Sequence, residues 1–325
     1  MITERFDSGF RLFDGSQLNR LRDQANQSFS DPQPGGLVLY VDPIHGSNSG
    51  STGQTWNGAY ATMAKALDRL ATENAKRSKS ADNSRIYFVG QLREQLIAPL
   101  GVSGVMIAGA AQGNVRDDNG AKWYAPAAAT AGQALLELRE QGWVLANFLM
   151  APETTTGAAV KANRGESATY PDSSHFQLLG MRFVGTGGTT YGLQDVGGNH
   201  HYVVDGCEFQ SLTRGIICTS TAIAVPLRNR IINSRFYANT NDINSSQSYG
   251  EIAGNKFFTA GSGAHDVIDL AENAGQGGNN IVTGNIFPNA IADIDPGNGY
   301  DGHATDVWTG NLVTDQAAFA FGNPA

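Results

Sequence analysis

The sequence predicts an all-β solenoid, a stack of short strands coiled on themselves, with a helix before it and a separate arm at its N-terminus. Three observations carry this. Seven segments in the back half share one pattern, an apolar pair, a small residue or Asn, a variable residue, then usually Phe: VLANFL (Val144–Leu149), LLGMRF (Leu178–Phe183), VDGCEF (Val204–Phe209), INSRF (Ile232–Phe236), IAGNKF (Ile252–Phe257), VTGNIF (Val282–Phe287) and WTGNLV (Trp308–Val313). Anchored on Asn147, Met181, Cys207, Ser234, Asn255, Asn285 and Asn311, they recur at spacings of 34, 26, 27, 21, 30 and 26 residues, within the range of stacked repeats that bury their faces against neighbours. Each repeat is too short for a helix pair and is bounded by Gly, Asn and Ser. Finally, 40 of 325 residues are Gly and 16% are charged, against averages of about 7% and about 25%. Gly and Asn tolerate the positive φ angles that tight turns between strands demand.

The elements follow in order. Residues 1–36 form an arm: Phe6, Phe10, Leu12 and Phe13 crowd a short segment, and Ser16 can cap a helix carrying Leu18 and Leu21. These apolar residues have no core of their own, so they pack either on the solenoid or on a partner. Ser30–Gly36 is linker chemistry. Residues 37–84 hold a strand (Leu37–Val41), a Gly/Ser/Asn loop (Pro43–Asn57) and an amphipathic helix, Tyr60–Lys76, with Tyr60, Met63, Ala64, Leu67, Leu70 and Ala71 on one face. Such a helix suits the exposed apolar end of a solenoid. Asp42 and His45 read as turn chemistry.

Residues 85–313 are the coils, opening with IYFVG (Ile86–Gly90) and VMIAG (Val105–Gly109). Asn114–Ala134, with Trp123 and Tyr124, reads as a loop outside the stack. In parallel coils like slots lie ~4.8 Å apart. Asn147, Asn255, Asn285 and Asn311 therefore form either a short, interrupted ladder or separate turn asparagines. Residues 314–325 are a tail in which Phe319 and Phe321 cap the stack or meet a partner.

Composition narrows the function classes. The net charge is −8, and no Lys/Arg stripe is interleaved with aromatics, so nucleic acid is not the expected partner. Lys76, Arg77 and Lys79 read as cations at a helix end. No apolar run is long enough to cross a membrane and no signal peptide opens the chain, so synthesis in a cytoplasm is expected. Cys207 falls in an inward slot and reads as a small buried hydrophobe.

The run YVDPIHGSNSG…TWNGAYATMAKALDRL closely resembles the opening of the pectate-lyase-like right-handed parallel β-helix superfamily, and the coils ending in NxF-like triplets are similar to its repeats. The resemblance covers about Leu37–Val313. It implies a single right-handed parallel β-helix with an N-terminal capping helix and arm. The arm, the absent signal and the WTGN…GNPA ending look like bacteriophage virion proteins on this scaffold. That likeness implies a homo-oligomer, trimer favoured, carried in a virion as a capsid decoration (cement) protein, head fibre or tailspike.

Tailspikes of this fold commonly cleave polysaccharide with paired carboxylates on neighbouring coils. The acids available are Asp242, Asp266, Asp269, Glu272, Asp293, Asp295, Asp301 and Asp306, of which Asp266 with Asp269, and Asp293 with Asp295, are the candidate catalytic residues. No carboxylate pair is expected to repeat by slot. Nor can the oxygen donors of a calcium site be assembled around Arg235 or Lys256, and His200-His201 has no ligand set beside it. The expected function is therefore a non-enzymatic structural protein of a phage particle, a capsid decoration protein. The alternative is a tailspike that binds or hydrolyses host polysaccharide. Neither cofactor nor metal is expected. The partner-binding residues would be Phe6, Phe10, Leu12, Phe13, Leu18, Leu21, Phe319 and Phe321, meeting the major capsid protein or other virion proteins.

Overall fold

Strands Val38–Val41, Arg85–Phe88 and Met106–Gly109 lie side by side in parallel, each hydrogen-bonded to the next. From Arg85 the chain visits three sheets in rotation: Arg85–Phe88 in the first, Gln91–Arg93 in the second, Leu96–Ile97 in the third, then Met106–Gly109 back in the first. The computed structural model describes residues 36–77, 83–110, 120–153, 157–163, 173–186, 190–219, 226–258, 267–270, 277–287, 300–302 and 305–313. Among these the sheets hold ten, nine and eight strands. This is a three-faced all-β solenoid. The chain divides into Met1–Pro34 and Gly35–Ala325, and the described residues all lie in the second unit.

Alternation along each short strand explains the core. In the second sheet the middle residue points inward, so Phe183, Phe209, Phe236, Phe257 and Phe287 fall in one buried column. Their rings stack at 4.8, 4.9, 5.0 and 5.1 Å between centroids, with planes within 16°. The ring spacing is the strand spacing, so the Phe that ends each repeat is the register mark of the stack. Offset ring pairs of this kind add about 0.5–1.5 kcal/mol beyond area burial.

The ladder differs from its sequence reading. Ala146 pairs with Leu179, so Phe148 shares a register position with Met181, and Asn147 lies one residue out of that slot. Asn147 has φ 61°, and its column continues through Gly180, Gly206, Asn233, Gly254, Gly284 and Gly310, all at positive φ. This left-handed corner is a position that Gly and Asn tolerate better than other residues. The true ladder runs without interruption through Ser234, Asn255, Asn285 and Asn311. Asn255 Oδ1 accepts from Ser234 N–H at 2.9 Å, Asn285 Oδ1 from Asn255 N–H at 2.9 Å, and Asn311 Oδ1 from Asn285 N–H at 3.0 Å. All four are buried. Turn carbonyls and amides enclosed by the coil need partners, and the Asn amides supply them.

Two further expectations are corrected. Lys122–Tyr124 is a strand of the second sheet, not part of an external loop, and Trp123 is wholly buried between Phe88 and Phe148. A large indole with a carbonyl for its N–H (Glu94 O, 2.8 Å) overrode the polar local sequence. The stack also begins at Val38–Val41, the first strand of the first sheet, before the helix rather than after it. The helix α1, Met63–Arg77, buries Met63, Ala66, Leu67 and Leu70 in the same core as Leu39 and Phe88. Its first turn is capped from the coil below: the Glu94 carboxylate accepts from Met63 N–H at 2.8 Å and Ala64 N–H at 3.0 Å.

Candidate functional site

The outer face of the second sheet carries charged and aromatic side chains side by side. Register places Arg182, Glu208, Arg235 and Lys256 on successive coils. The row beside it holds Gln210 and Tyr237, with Phe258 next to Tyr237 one coil on. Arg182 is committed: its Nε donates to Glu208 Oε1 at 3.0 Å and its terminal nitrogen to Gln210 Oε1 at 2.8 Å. Tyr237 and Phe258 are each 52% exposed, with ring centroids 6.3 Å apart at 63°. Two aromatics held open beside two cations on a rigid sheet offer flat apolar surface with hydrogen-bond donors at its edge. Each aromatic follows a core Phe of its repeat, Phe236 and Phe257, so period-two alternation turns it outward.

The remaining tyrosines separate by face: Tyr202 and Tyr300 are buried, while Tyr249 is 62% exposed. Tyr202 belongs to an enclosed polar cluster. Its OH and Cys218 Sγ are 2.9 Å apart, Cys218 Sγ donates to Asp195 Oδ2 at 3.1 Å, and Asn199 N–H donates to Asp195 Oδ1 at 3.1 Å. Burial, then the charge of Asp195, pushes the Cys218 thiol well up, and burial pushes Cys207 up to about 12. Both cysteines are free and buried, which leaves them inert.

Of the candidate catalytic acids, Asp269 lies on the third sheet, half-buried, with Asn244 Nδ2 donating to its Oδ2 at 3.1 Å. Asp266, Asp293 and Asp295 lie outside the described residues, as do Phe6, Phe10, Leu12, Phe13, Leu18, Leu21, Phe319 and Phe321. The structure adds a relation that the sequence missed: Asp269 and Asp301 are register partners on neighbouring coils. An Asp position does therefore repeat in register on neighbouring coils. Asp242 and Asp306 are bricks of the stack, accepting from Asn239 Nδ2 at 2.8 Å and from Asn280 N–H at 2.8 Å.

His200 and His201 hold no metal set. His200 Nδ1 accepts from Leu227 N–H at 3.1 Å, and among the described residues no three His, Cys, Asp or Glu side chains group as ligands. Asp42 makes the expected turn, accepting from Ile44 and His45 N–H at 2.9 and 3.1 Å.

No protein-family profile matches this sequence, and no curated protein matches it. Solved structures do. A lacto-N-biosidase of family GH136 from Eubacterium ramulus is similar at TM-score 0.54 and 11% identity, over 92% of this chain and 58% of that one. Escherichia coli YbhC is similar at TM-score 0.48 and 12% identity, over 87% and 77%. A rhamnogalacturonan lyase is similar at TM-score 0.42 and 11% identity, over 85% and 87%. This chain spans less than two thirds of the lacto-N-biosidase. The likeness is one of fold, the stacked parallel sheets of a β-helix.

Proposed function

We propose that this chain is a tail-type structural protein of a phage particle that binds surface polysaccharide through the outer face of its second sheet. The open pair Tyr237 and Phe258, flanked by Arg235 and Lys256, carries the reading. Aromatic faces suit the apolar faces of sugar rings, and the cations suit hydroxyl and carboxylate oxygens. The architecture proposed is a single right-handed parallel β-helix, the hand that right-twisted strands favour in parallel crossovers, with α1 as its N-terminal cap and residues 1–36 as its arm. The particle form is a homo-oligomer, trimer favoured, in a virion, without cofactor, nucleic-acid or membrane partner. A bound glycan, rather than a cleaved one, is the simpler role for this face, which presents cations and aromatics.

One observation favours capsid decoration as a second reading. Ile281 and Val307, paired in the first sheet, and Leu312 in the second are 49%, 50% and 50% exposed at the C-terminal end of the described coils. Apolar residues displayed together suit a protein contact. In that reading the major capsid protein is the partner.

Glycan-array binding of the full chain, with Tyr237→Ala/Phe258→Ala beside it, tests the first reading. Selective binding that the double variant loses supports it; no glycan binding by the wild type sinks it. Copy number per purified virion separates the readings. Parity with the major capsid protein would mean decoration, and a far smaller number a tail appendage.

A further inference from the structure

The corner between the third and first sheets is also a column of left-handed residues, but a different kind of residue fills it. Asn83, Gly104 and Gly142 begin it at φ 68°, 63° and 78°. His175, His201, Arg228 and Tyr249 then occupy four successive coils at φ 63°, 56°, 57° and 54°, and Asn279 follows at 59°. The backbone repeats throughout: each N–H reaches the next coil, His175 to His200 O at 2.9 Å, His201 to Leu227 O at 2.9 Å, Arg228 to Ser248 O at 2.9 Å, and Tyr249 to Gly278 O at 3.0 Å. The corner between the first and second sheets uses the same left-handed geometry and the same bonding, and among the described residues fills it with Gly and Asn alone.

That second corner is an internal control. The coil accepts Gly at a left-handed position, so nothing in the winding requires His, Arg or Tyr there. L-residues with bulky side chains disfavour this conformation, His less than the others. Strain of this sort persists where the displayed group has a use. All four side chains are exposed. The His175 and His201 rings stack at 5.0 Å and 16°. Arg228 forms no ion pair among the described residues; the nearby acid Glu251 is taken by Arg230 at 2.6 Å.

We propose that this edge is a second recognition surface, a ridge that binds an extended anionic glycan. The proposal rests on the glycan reading above for its ligand class, but on different residues at a different part of the coil. Imidazole N–H groups, a guanidinium fork, a phenol and the Asn279 amide make a line of donors one coil apart. An acceptor-rich chain with carboxylate, sulfate or phosphate groups matches it. Nucleic acid matches it less well, because single-strand binding relies on aromatic platforms on which successive bases stack, and this edge offers one phenol, Tyr249.

The test uses the full chain and one polymer backbone in three charge states: dextran, carboxymethyl-dextran and dextran sulfate, with a single-stranded DNA oligomer alongside. The variant combines His175→Asn, His201→Asn, Arg228→Asn and Tyr249→Asn, since Asn tolerates the left-handed backbone. The wild type should bind both charged dextrans, more weakly as salt rises, and neutral dextran and DNA at least tenfold less well. The variant should lose charged-dextran binding at least tenfold while its unfolding midpoint stays level or rises. A control at the exposed Leu100, which lies on neither face, should retain that binding (Leu100→Ala), and Tyr237→Ala/Phe258→Ala is measured beside it. The ridge is overturned if the wild type binds no charged dextran, if DNA binds as tightly, or if the four-Asn variant binds like the wild type. Loss only in the Tyr237/Phe258 variant would place all glycan binding on the second sheet and remove the ridge while leaving that face standing.

Discussion

Asn285 Oδ1 accepts two hydrogen bonds from Asn255, one from its backbone N–H at 2.9 Å and one from its side-chain Nδ2 at 3.1 Å. Asn285 in turn gives its own N–H and Nδ2 to Asn311 Oδ1, both at 3.0 Å, and the pattern ties three coils at one buried corner. Each amide answers backbone groups that would otherwise sit dry inside the turn.

Asn285→Ala should therefore destabilise the protein by about 2–4 kcal/mol, from lost hydrogen bonds and stranded buried partners. Asn147→Gly, in the left-handed column, should be neutral or slightly stabilising. Denaturant midpoints for the two variants check this; equal losses would place Asn147 back in the ladder.

Phe236 sits mid-column, 4.9 Å from Phe209 and 5.0 Å from Phe257. Phe236→Ala should cost about 3–5 kcal/mol by cavity formation. Phe258→Ala, one residue after a column Phe but facing outward, should stay within about 0.5 kcal/mol. Thermal unfolding of the pair reads the inward and outward register directly.

Burial raises the pKa of Glu94, and the hydrogen bonds from Ala64 and Met63 N–H, which lower it, do not cancel that. The folded state thus holds the proton more tightly than the unfolded chain, where Glu titrates near about 4.3. Stability contributed by the protonated form is full below that value and is lost as pH rises through the raised folded pKa. Glu94→Gln should remove this part of the pH dependence. Denaturant midpoints of both proteins across that window decide it, since parallel profiles would deny the effect.

Both thiols should resist Ellman's reagent in the native protein and react fully in denaturant, because burial pushes Cys207 up to about 12 and Cys218 well above its ordinary range. Rapid labelling of either in the folded state would contradict the enclosed cluster around Asp195.

Asp269→Asn tests the Asp position that recurs in register at Asp301. If the glycan is bound without cleavage, this variant should match the wild type in binding, and neither should release reducing ends. Reducing-end release by the wild type that Asp269→Asn abolishes would turn the third sheet into an active site.

The winding was legible in the sequence because it is local and repeated. An apolar pair, a turn residue and a Phe recur at each coil, and period-two alternation then dictates which side faces in. The amphipathic helix was legible for the same reason, its apolar residues recurring at helical spacing. Register was not legible, because variable loops change the residue count per coil. A one-residue offset put Asn147 in the ladder, while Ser234, already in the right slot, was left out because it carries no amide. Trp123 was hidden by polar neighbours whose positions only the stack defines. What the sequence alone determined was the architecture, written in residues that act on their immediate neighbours. The tertiary structure decided which distant residues share a column: Asp269 with Asp301, Tyr237 with Phe258, and His175, His201, Arg228 and Tyr249 along one edge. Each of these sets joins coils some twenty to thirty residues apart in sequence, and hydrogen bonding between parallel strands is what brings them to one strand spacing.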